Sequence, residues 1–241
     1  MKTRIRAAPA ALPVPLRTPI AIVSVLAAVV VVVLAILHFD DSSLTGIDAV
    51  LLPPIDGVEF PWRFVALTFD FGGEPIGSVI LVGALTLALI ALRRFRSALL
   101  TVLGVLITVG VTSVLKPIVG RTIHGEFLSF PSGHTALATT LALVVPFVLV
   151  DKLMLGRGAG LLLVLGLALV GGLAMGWAEV ALGAHYPTDA LGGFCTSLVV
   201  VPVTAWLVDR VVGPSPARSS VGDRPREGVS DDHRPDRGRT P

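Results

Sequence analysis

The sequence predicts an all-α integral-membrane protein, a bundle of six transmembrane helices. Its 241 residues are 53% hydrophobic and only 15% charged, with a mean hydropathy of +0.83, which is too apolar for a soluble domain of this length. Six apolar runs of 16 to 21 residues are separated by polar links, and each run is long enough as a helix to cross most of a ~30 Å hydrocarbon layer. The runs are 20–37, 76–92, 98–115, 135–150, 158–178 and 190–208.

The composition also excludes several classes of protein. A net charge of +2 gives no case for a nucleic-acid partner. Cys195 is the only cysteine, so we expect a buried, inert thiol and no disulfide within the chain. Neither cysteines nor clustered histidines offer a metal site, and the acids of the first loop are scattered, so we expect no cofactor and activity in the presence of a chelator.

The flanking segments suggest an orientation in the membrane. Residues 1–19 form a short, basic, proline-rich arm. The run that follows lacks a cleavage site of small residues, which favours an uncleaved first helix over a secretory signal peptide. Basic residues mark the arm and the even-numbered links, so both termini are predicted to be cytoplasmic in a multi-pass protein of the cell membrane. Residues 20–212 are then the membrane domain. Residues 213–241 contain almost no apolar residues and are predicted to be a disordered cytoplasmic tail.

The first outer loop, residues 38–75, is acidic and rich in aromatic residues. It carries seven acids against one base, Arg63. We prefer anchoring of its aromatic residues in the headgroup layer over contact with a substrate. These aromatic residues are Phe60, Trp62, Phe64, Phe69 and Phe71.

A polar hexapeptide, Phe130 to Thr135, stands directly before the fourth apolar run. Pro131 can open a helix there, and Ser132 or Thr135 can cap its first turn. A helix start combines unpaired N–H donors with a positive dipole end, which suits phosphate. Gly133 lets an anion approach the backbone, and His134 adds an acid/base group.

Two further pieces fall in outer loops on the same predicted face. His185 and Asp189 are four residues apart, so one helical turn places the carboxylate beside the imidazole. A carboxylate on one ring nitrogen leaves the other free as a nucleophile, with His134 opposite as general acid and then general base. Lys116 and Arg121, at the exit of the third run, would hold the phosphate oxygens.

Each of these residues also has an ordinary structural interpretation. A single histidine at a membrane interface is commonly a polar anchor, and Lys116 or Arg121 could extend to lipid headgroups. Asp189 could simply cap the sixth helix. We favour the catalytic interpretation because all of them fall on one face in the combination that phosphoryl transfer needs.

These residues resemble the signature of the type 2 phosphatidic acid phosphatases, the PAP2 superfamily. The family pattern is a Lys six residues before Arg-Pro, then Pro-Ser-Gly-His, then Ser-Arg, five residues, His, three residues and Asp. Lys116, Ser132, Gly133, His134, His185 and Asp189 match it, within a similar region of about 76–208. The resemblance implies a six-helix bundle of the PAP2/haloperoxidase-like type, metal-independent hydrolysis and a phosphohistidine intermediate on His185, oriented by Asp189.

Two arginines of the family pattern are replaced. Ile123-His124 stands where the family has Arg-Pro, and Ala178-Glu179 where it has Ser-Arg. Arg121, two positions early, is expected to clamp the phosphate instead, with Arg63 a weaker candidate. Glu179 would repel phosphate, so it is expected to pair with Arg121 or Lys116, or to point away.

The predicted function is a lipid phosphatase acting at the extracytoplasmic face. Its substrate would be a phosphomonoester or pyrophosphate on a lipid, of the phosphatidic acid, phosphatidylglycerol phosphate or polyprenyl phosphate type. The alternative is a non-catalytic lipid-phosphate-binding or lipid-transport protein on the same scaffold. A generic transporter is disfavoured because the spans carry no charge at mid-depth.

Overall fold

The computed structural model describes residues 9–44 and 46–212, which are mostly helical. The predicted tail, residues 213–241, lies outside the described residues, as do residues 1–8 of the arm. A two-stranded antiparallel hairpin, β1 (Thr122–Ile123) and β2 (Phe127–Leu128), joins the fifth and sixth helices. The helices are α1 (Arg17–Leu37), α2 (Gly46–Leu51), α3 (Trp62–Gly73), α4 (Pro75–Ala91), α5 (Phe95–Val119), α6 (Gly133–Lys152), α7 (Arg157–Ala181) and α8 (Pro187–Val211).

The helices confirm the predicted membrane-spanning bundle. Five of the described helices are long and apolar enough to cross a bilayer, and the pair α3 and α4, bent by 69° at their junction, brings the number to six if it counts as one span. Pro75 at the first position of α4 explains the break, because proline starts a helix well but cannot continue one from α3. The chain is a multi-pass membrane protein.

The loop predicted between the first two spans is partly helical. Residues 46–51 and 62–73 form α2 and α3, which the acidic, interrupted sequence did not indicate. Trp62 packs edge-on against Trp177 of α7, with ring centroids 6.4 Å apart, while the other aromatic residues of the loop stay exposed. Arg63, the weaker phosphate candidate, is also exposed on α3.

The main core draws buried residues from α1, α5, α6, α7 and α8. Phe147 of α6, Val164 of α7 and Val201 of α8 are each at most 1% exposed. Two glycines permit close approach of the helices. A Cβ on Gly193 of α8 would lie 2.2 Å from the carbonyl oxygen of Ser132, and one on Gly172 of α7 would lie 2.5 Å from the Phe194 ring.

Charged groups divide between the two ends of the bundle. The carboxylate of Asp209, near the end of α8, accepts hydrogen bonds from the backbone N–H groups of Ala11 and Leu12 and lies 3.6 Å from both Arg17 and Arg96. The described part of the arm therefore packs against α8. The Pro-Ser-Gly-His and His-Asp residues lie at the other end of α8, where Asp189 is about 30 Å along the helix from Asp209.

Candidate active site

His134 lies in the first turn of α6, at the helix start that the hexapeptide predicted. Ser132, rather than Pro131, marks this start: it is the N-cap, and its Oγ accepts a hydrogen bond from the backbone N–H of Thr135 at 3.3 Å. The backbone N–H of Ser132 donates to the carbonyl of Asp189 at 3.0 Å. This bond ties the start of α6 to the start of α8, so the two motifs meet.

The corner between α3 and α4 packs against the His134 ring. Nε2 of His134 lies 3.8 Å from Asp70 and 3.9 Å from Glu74. A Cβ on Gly73 would lie only 1.9 Å from the ring, so a glycine is needed for the corner to come this close. Asp70 and Glu74 were not among the predicted site residues, although both belong to the acidic first loop.

His185 and Asp189 form the predicted pair at the start of α8. Nδ1 of His185 lies 3.6 Å from Oδ2 of Asp189, which is longer than a hydrogen bond. The same oxygen accepts the backbone N–H of Tyr186 at 3.0 Å in a capping box. Asp189 therefore caps the helix and faces the imidazole at once, and its role in orienting His185 stays a prediction.

Glu179 lies between the two imidazoles. Its Oε2 is 3.7 Å from Nε2 of His185, and one of its oxygens lies within 4.8 Å of a ring nitrogen of His134 and of a carboxylate oxygen of Asp70. Glu179 is only 1% exposed. The expected pairing with Arg121 or Lys116 is not the arrangement seen: the carboxylate faces His185 instead.

Arg121 is held by carboxylates, and not directed at the cleft between the histidines. Its Nη1 donates to Asp189 and to Thr188, and its Nη2 to Asp48, each at 2.7 Å. Arg121, Asp48 and Asp189 are all fully buried. The guanidinium also lies over the Tyr186 ring, 4.3 Å from its centroid. In this arrangement the guanidinium is paired with Asp48 and Asp189, and the expected phosphate clamp at Arg121 stays untested.

Asp48 is a residue of this network that sequence reasoning missed. It comes from α2 in the first loop, and it also accepts hydrogen bonds from the backbone N–H and hydroxyl of Thr188, at 2.9 and 2.6 Å. Its only sequence signal was membership of the acidic loop.

Two titratable groups outside the spans respond to this network. Burial raises the pKa of the Tyr186 phenol, although Arg121 opposes the shift. Burial and then the charge of Arg121 lower the pKa of His38. Both side chains are therefore neutral near pH 7. Neither of them adds a charge that competes with Asp48 and Asp189 for Arg121.

Lys116 and Gly133 complete the set of predicted site residues. Lys116, half-buried at the end of α5, donates from Nζ to the carbonyl of Leu128 at 3.0 Å. Gly133 is the first residue of α6 and has room beside its Cα. The structure thus groups His134, His185 and Asp189 at one end of the bundle.

An apolar groove leads from His134 along the bundle. It has a volume of about 850 Å³ and lies between α4 and α5. Val79 and Leu87 of α4, and Val105 and Val109 of α5, line it, with His134 at its polar end. A groove of this size and character suits a long hydrocarbon chain.

The chain is similar to known membrane phosphatases. Residues 97–212 match the PAP2 superfamily. Over 86 residues the chain is 42% identical to phosphatidylglycerophosphatase B of Haemophilus influenzae, a match that covers 35% of this chain and 31% of that protein. The chain thus spans about a third of the length of this curated relative.

The fold is similar to a solved structure as well. The crystal structure of a transmembrane PAP2 type phosphatidylglycerolphosphate phosphatase from Bacillus subtilis superposes with a TM-score of 0.61. The similarity covers 78% of this chain and 96% of the other, at 20% sequence identity, and concerns the fold alone. Residues 97–212 are thus similar to the PAP2 superfamily, and the fold of the chain is similar to that of a solved PAP2 type phosphatase.

Proposed function

We propose that the protein is an integral-membrane lipid phosphatase that hydrolyses a phosphomonoester or pyrophosphate on a lipid. One observation carries the proposal: the imidazoles of His134 and His185 lie near the same carboxyl group, that of Glu179, within 4.8 Å for His134 and at 3.7 Å for His185. A phosphoryl group that displaced this carboxylate would lie between the same two rings. That is the arrangement that a nucleophile and an opposed general acid require.

The proposed reaction has two steps. Nε2 of His185 attacks phosphorus while Asp189 orients the ring through Nδ1; the N–P bond forms and the P–O bond to the lipid breaks. His134 gives a proton to the departing oxygen. Water then attacks phosphorus, His134 accepts a proton from it, the N–P bond breaks and inorganic phosphate leaves. The phosphate oxygens are stabilised by the N–H of Gly133 at the start of α6, by the hydroxyl of Ser132, whose own N–H is bonded to Asp189, and by the ammonium protons of Lys116 that do not bond Leu128.

The groove between α4 and α5 supports a lipid as the substrate. Its apolar walls end at His134, so a chain lying in the groove would present its phosphate to the catalytic ring. Phosphatidic acid, phosphatidylglycerol phosphate and polyprenyl phosphates all have this form. The curated relative in Haemophilus influenzae carries the name phosphatidylglycerophosphatase B, which makes phosphatidylglycerol phosphate the first lipid to test.

The proposal includes the orientation and the absence of a metal requirement. The basic residues Arg94, Arg96 and Arg210 lie at the bundle end remote from His134, which supports an extracytoplasmic site by the positive-inside rule. Because His185 supplies the nucleophile and His134 the acid, the two steps need no metal-bound water.

A phosphate-release assay tests the proposal. Purified protein is given a panel of lipid phosphates with and without a chelator, beside His185→Ala and, as a matched control, His124→Ala in the exposed hairpin. We expect release in wild type and His124→Ala with chelator present, and a loss of ~10² or more in His185→Ala. Equal release by wild type and His185→Ala would exclude His185 as the nucleophile.

The alternative is a protein that binds lipid phosphates without hydrolysing them. The capture of Arg121 by two carboxylates favours it, because neither replaced arginine then has a substitute at the phosphate. Saturable binding of a lipid phosphate in the groove without any release of phosphate would support this alternative over the enzyme.

A further inference from the structure

We propose that Asp70, His134 and Glu179 form a binding site for a divalent transition-metal cation, such as Zn²⁺ or Mn²⁺. The three side chains come from the end of α3, the start of α6 and the end of α7. Each offers one ligand atom, and these atoms lie within 4.8 Å of one another. Glu74 is adjacent, its Oε1 3.9 Å from Nε2 of His134.

The unsatisfied carboxylate of Glu179 is the independent reason for placing a cation here. The residue is 1% exposed, and its Oε1 accepts no hydrogen bond from any residue that the structure describes. Nε2 of His134 is likewise buried without a hydrogen-bond partner among those residues. Only Oε2 of Glu179 faces an imidazole, that of His185, and a buried carboxylate whose second oxygen has no donor is unfavourable unless it is paired or bound to a metal.

The two cations nearest this region are engaged elsewhere. Lys116 donates from Nζ to the carbonyl of Leu128. Arg121 is divided between Asp48 and Asp189. Asp70 and Glu74 add further negative charge on the His134 side. A divalent cation would offset this accumulation of acids.

The donor set selects the class of cation. One imidazole nitrogen with two carboxylate oxygens suits Zn²⁺ or Mn²⁺, whereas Mg²⁺ and Ca²⁺ prefer oxygen ligands alone. Ligands about 2.0–2.2 Å from a metal lie closer together than 4.8 Å, so the site must contract on binding. The backbone at Gly73 fixes the His134 ring, and the flexible carboxylates of Asp70 and Glu179 therefore make the movement.

Binding would have a consequence for the proposed phosphatase, and this part alone rests on the proposed function. A metal bound at the Nε2 lone pair of His134 occupies the position that the catalytic proton needs. It would also hold Glu179 between the two imidazoles, where the phosphoryl group must enter. The cation would therefore act as an inhibitor, and a chelator would maintain or raise the activity.

The binding test uses tag-free, chelator-treated full-length protein in detergent, titrated with Zn²⁺ and with Mn²⁺ in a calorimeter. We expect one site per chain, weakened at least tenfold in Asp70→Asn and in Glu179→Gln but unchanged in Glu126→Gln, an acid-to-amide control on the exposed hairpin. Thermal unfolding identifies any variant that fails to fold. Asp70 is only half-buried, so Asp70→Asn should disturb the fold less than Glu179→Gln. No binding, or equal binding in all variants, would overturn the site; a proton shared between Asp70 and Glu179 would give this result.

Activity assays separate the two proposals. The phosphatase activity with Zn²⁺ is divided by the activity without it, and this ratio is compared between wild type and Asp70→Asn. A low ratio in wild type that rises in Asp70→Asn supports both the site and the role of His134. Stoichiometric binding with a ratio near one would keep the site and overturn His134 as the general acid.

Discussion

Replacing Arg121 with alanine should destabilise the protein as well as inactivate it. The guanidinium pairs with Asp48 and Asp189 at 2.7 Å each, and all three side chains are fully buried. Removing one partner of a buried pair costs about 3–5 kcal/mol, because the remaining charge has no compensation. For a domain of this size that corresponds to a loss of roughly 6–20 °C in Tm. Activity should fall because Asp189, which orients His185, loses its anchor.

Thermal unfolding in detergent beside the phosphate-release assay measures both effects. Arg94→Ala is the matched control: its partner Asp151 is 41% exposed, and a surface pair contributes about 1 kcal/mol or less. Asp48→Asn should also lower Tm and activity, since it loosens the same network from the opposite side and never touches the phosphate. Arg121→Lys should recover little, because an ammonium group cannot make the forked contact with two carboxylates.

A phosphate-clamping Arg121 gives a different pattern. In that case Arg121→Ala would lose ~10² or more in activity while melting within about 2 °C of wild type, and Asp48→Asn would leave activity intact. Such a result would refute the assignment of Arg121 as a positioning residue and restore the expectation made from the sequence.

Three further outcomes are expected. Gly193→Ala should lower Tm and cost about 1–3 kcal/mol of stability, because its Cβ would lie 2.2 Å from the Ser132 carbonyl oxygen. Gly166→Ala, which has open space around it, should leave Tm unchanged. Equal melting of the two variants would refute the close packing of α8 on the start of α6. Val79→Trp, which fills the groove, should reduce turnover of long-chain lipid phosphates more than that of a soluble phosphate ester, and an equal loss on both would mean that the chain lies elsewhere. The pKa of His38 is lowered in the folded protein, so the protein should lose stability as pH falls below the unfolded pKa of ~6.5. His38→Gln should therefore flatten the decline of Tm between pH 7.5 and 5.5. An unchanged slope would show that other groups dominate the decline.

The acidic surroundings of His134 bear on substrate choice. Three acidic residues surround His134: Asp70, Glu74 and Glu179. The family pattern has an arginine at the position of Glu179. In the proposed mechanism the substrate phosphate displaces Glu179 from Nε2 of His185, and repulsion from the neighbouring acids rises with the charge of the headgroup. Lipids with a single phosphate should therefore be better substrates than lipid pyrophosphates, which the same assay panel measures.

Local features of the chain determined the spans and the short-range contacts that the sequence predicted. Apolar runs of 16 to 21 residues locate the spans because each residue's transfer into lipid depends on its own side chain. The cap at Ser132 and the approach of Asp189 to His185 depend on contacts three or four residues apart. The cap follows from the geometry of a helix start, whereas His185 lies in the bend just before α8, so its contact with Asp189 forms across the helix start and not within one helical turn.

Only the tertiary structure decided which charges meet across the site. Asp48 reaches Arg121 from 73 residues away, and Asp70 reaches His134 because α3 and α4 bend at Pro75. Periodicity places a side chain on a helix but does not say which distant loop will pack above it. The sequence by itself therefore determined the bundle, its spans and the histidine motifs, whereas the packing of the first loop decided the partners of Arg121 and Glu179, because burial makes a charged group pair with whatever opposite charge the fold brings within reach.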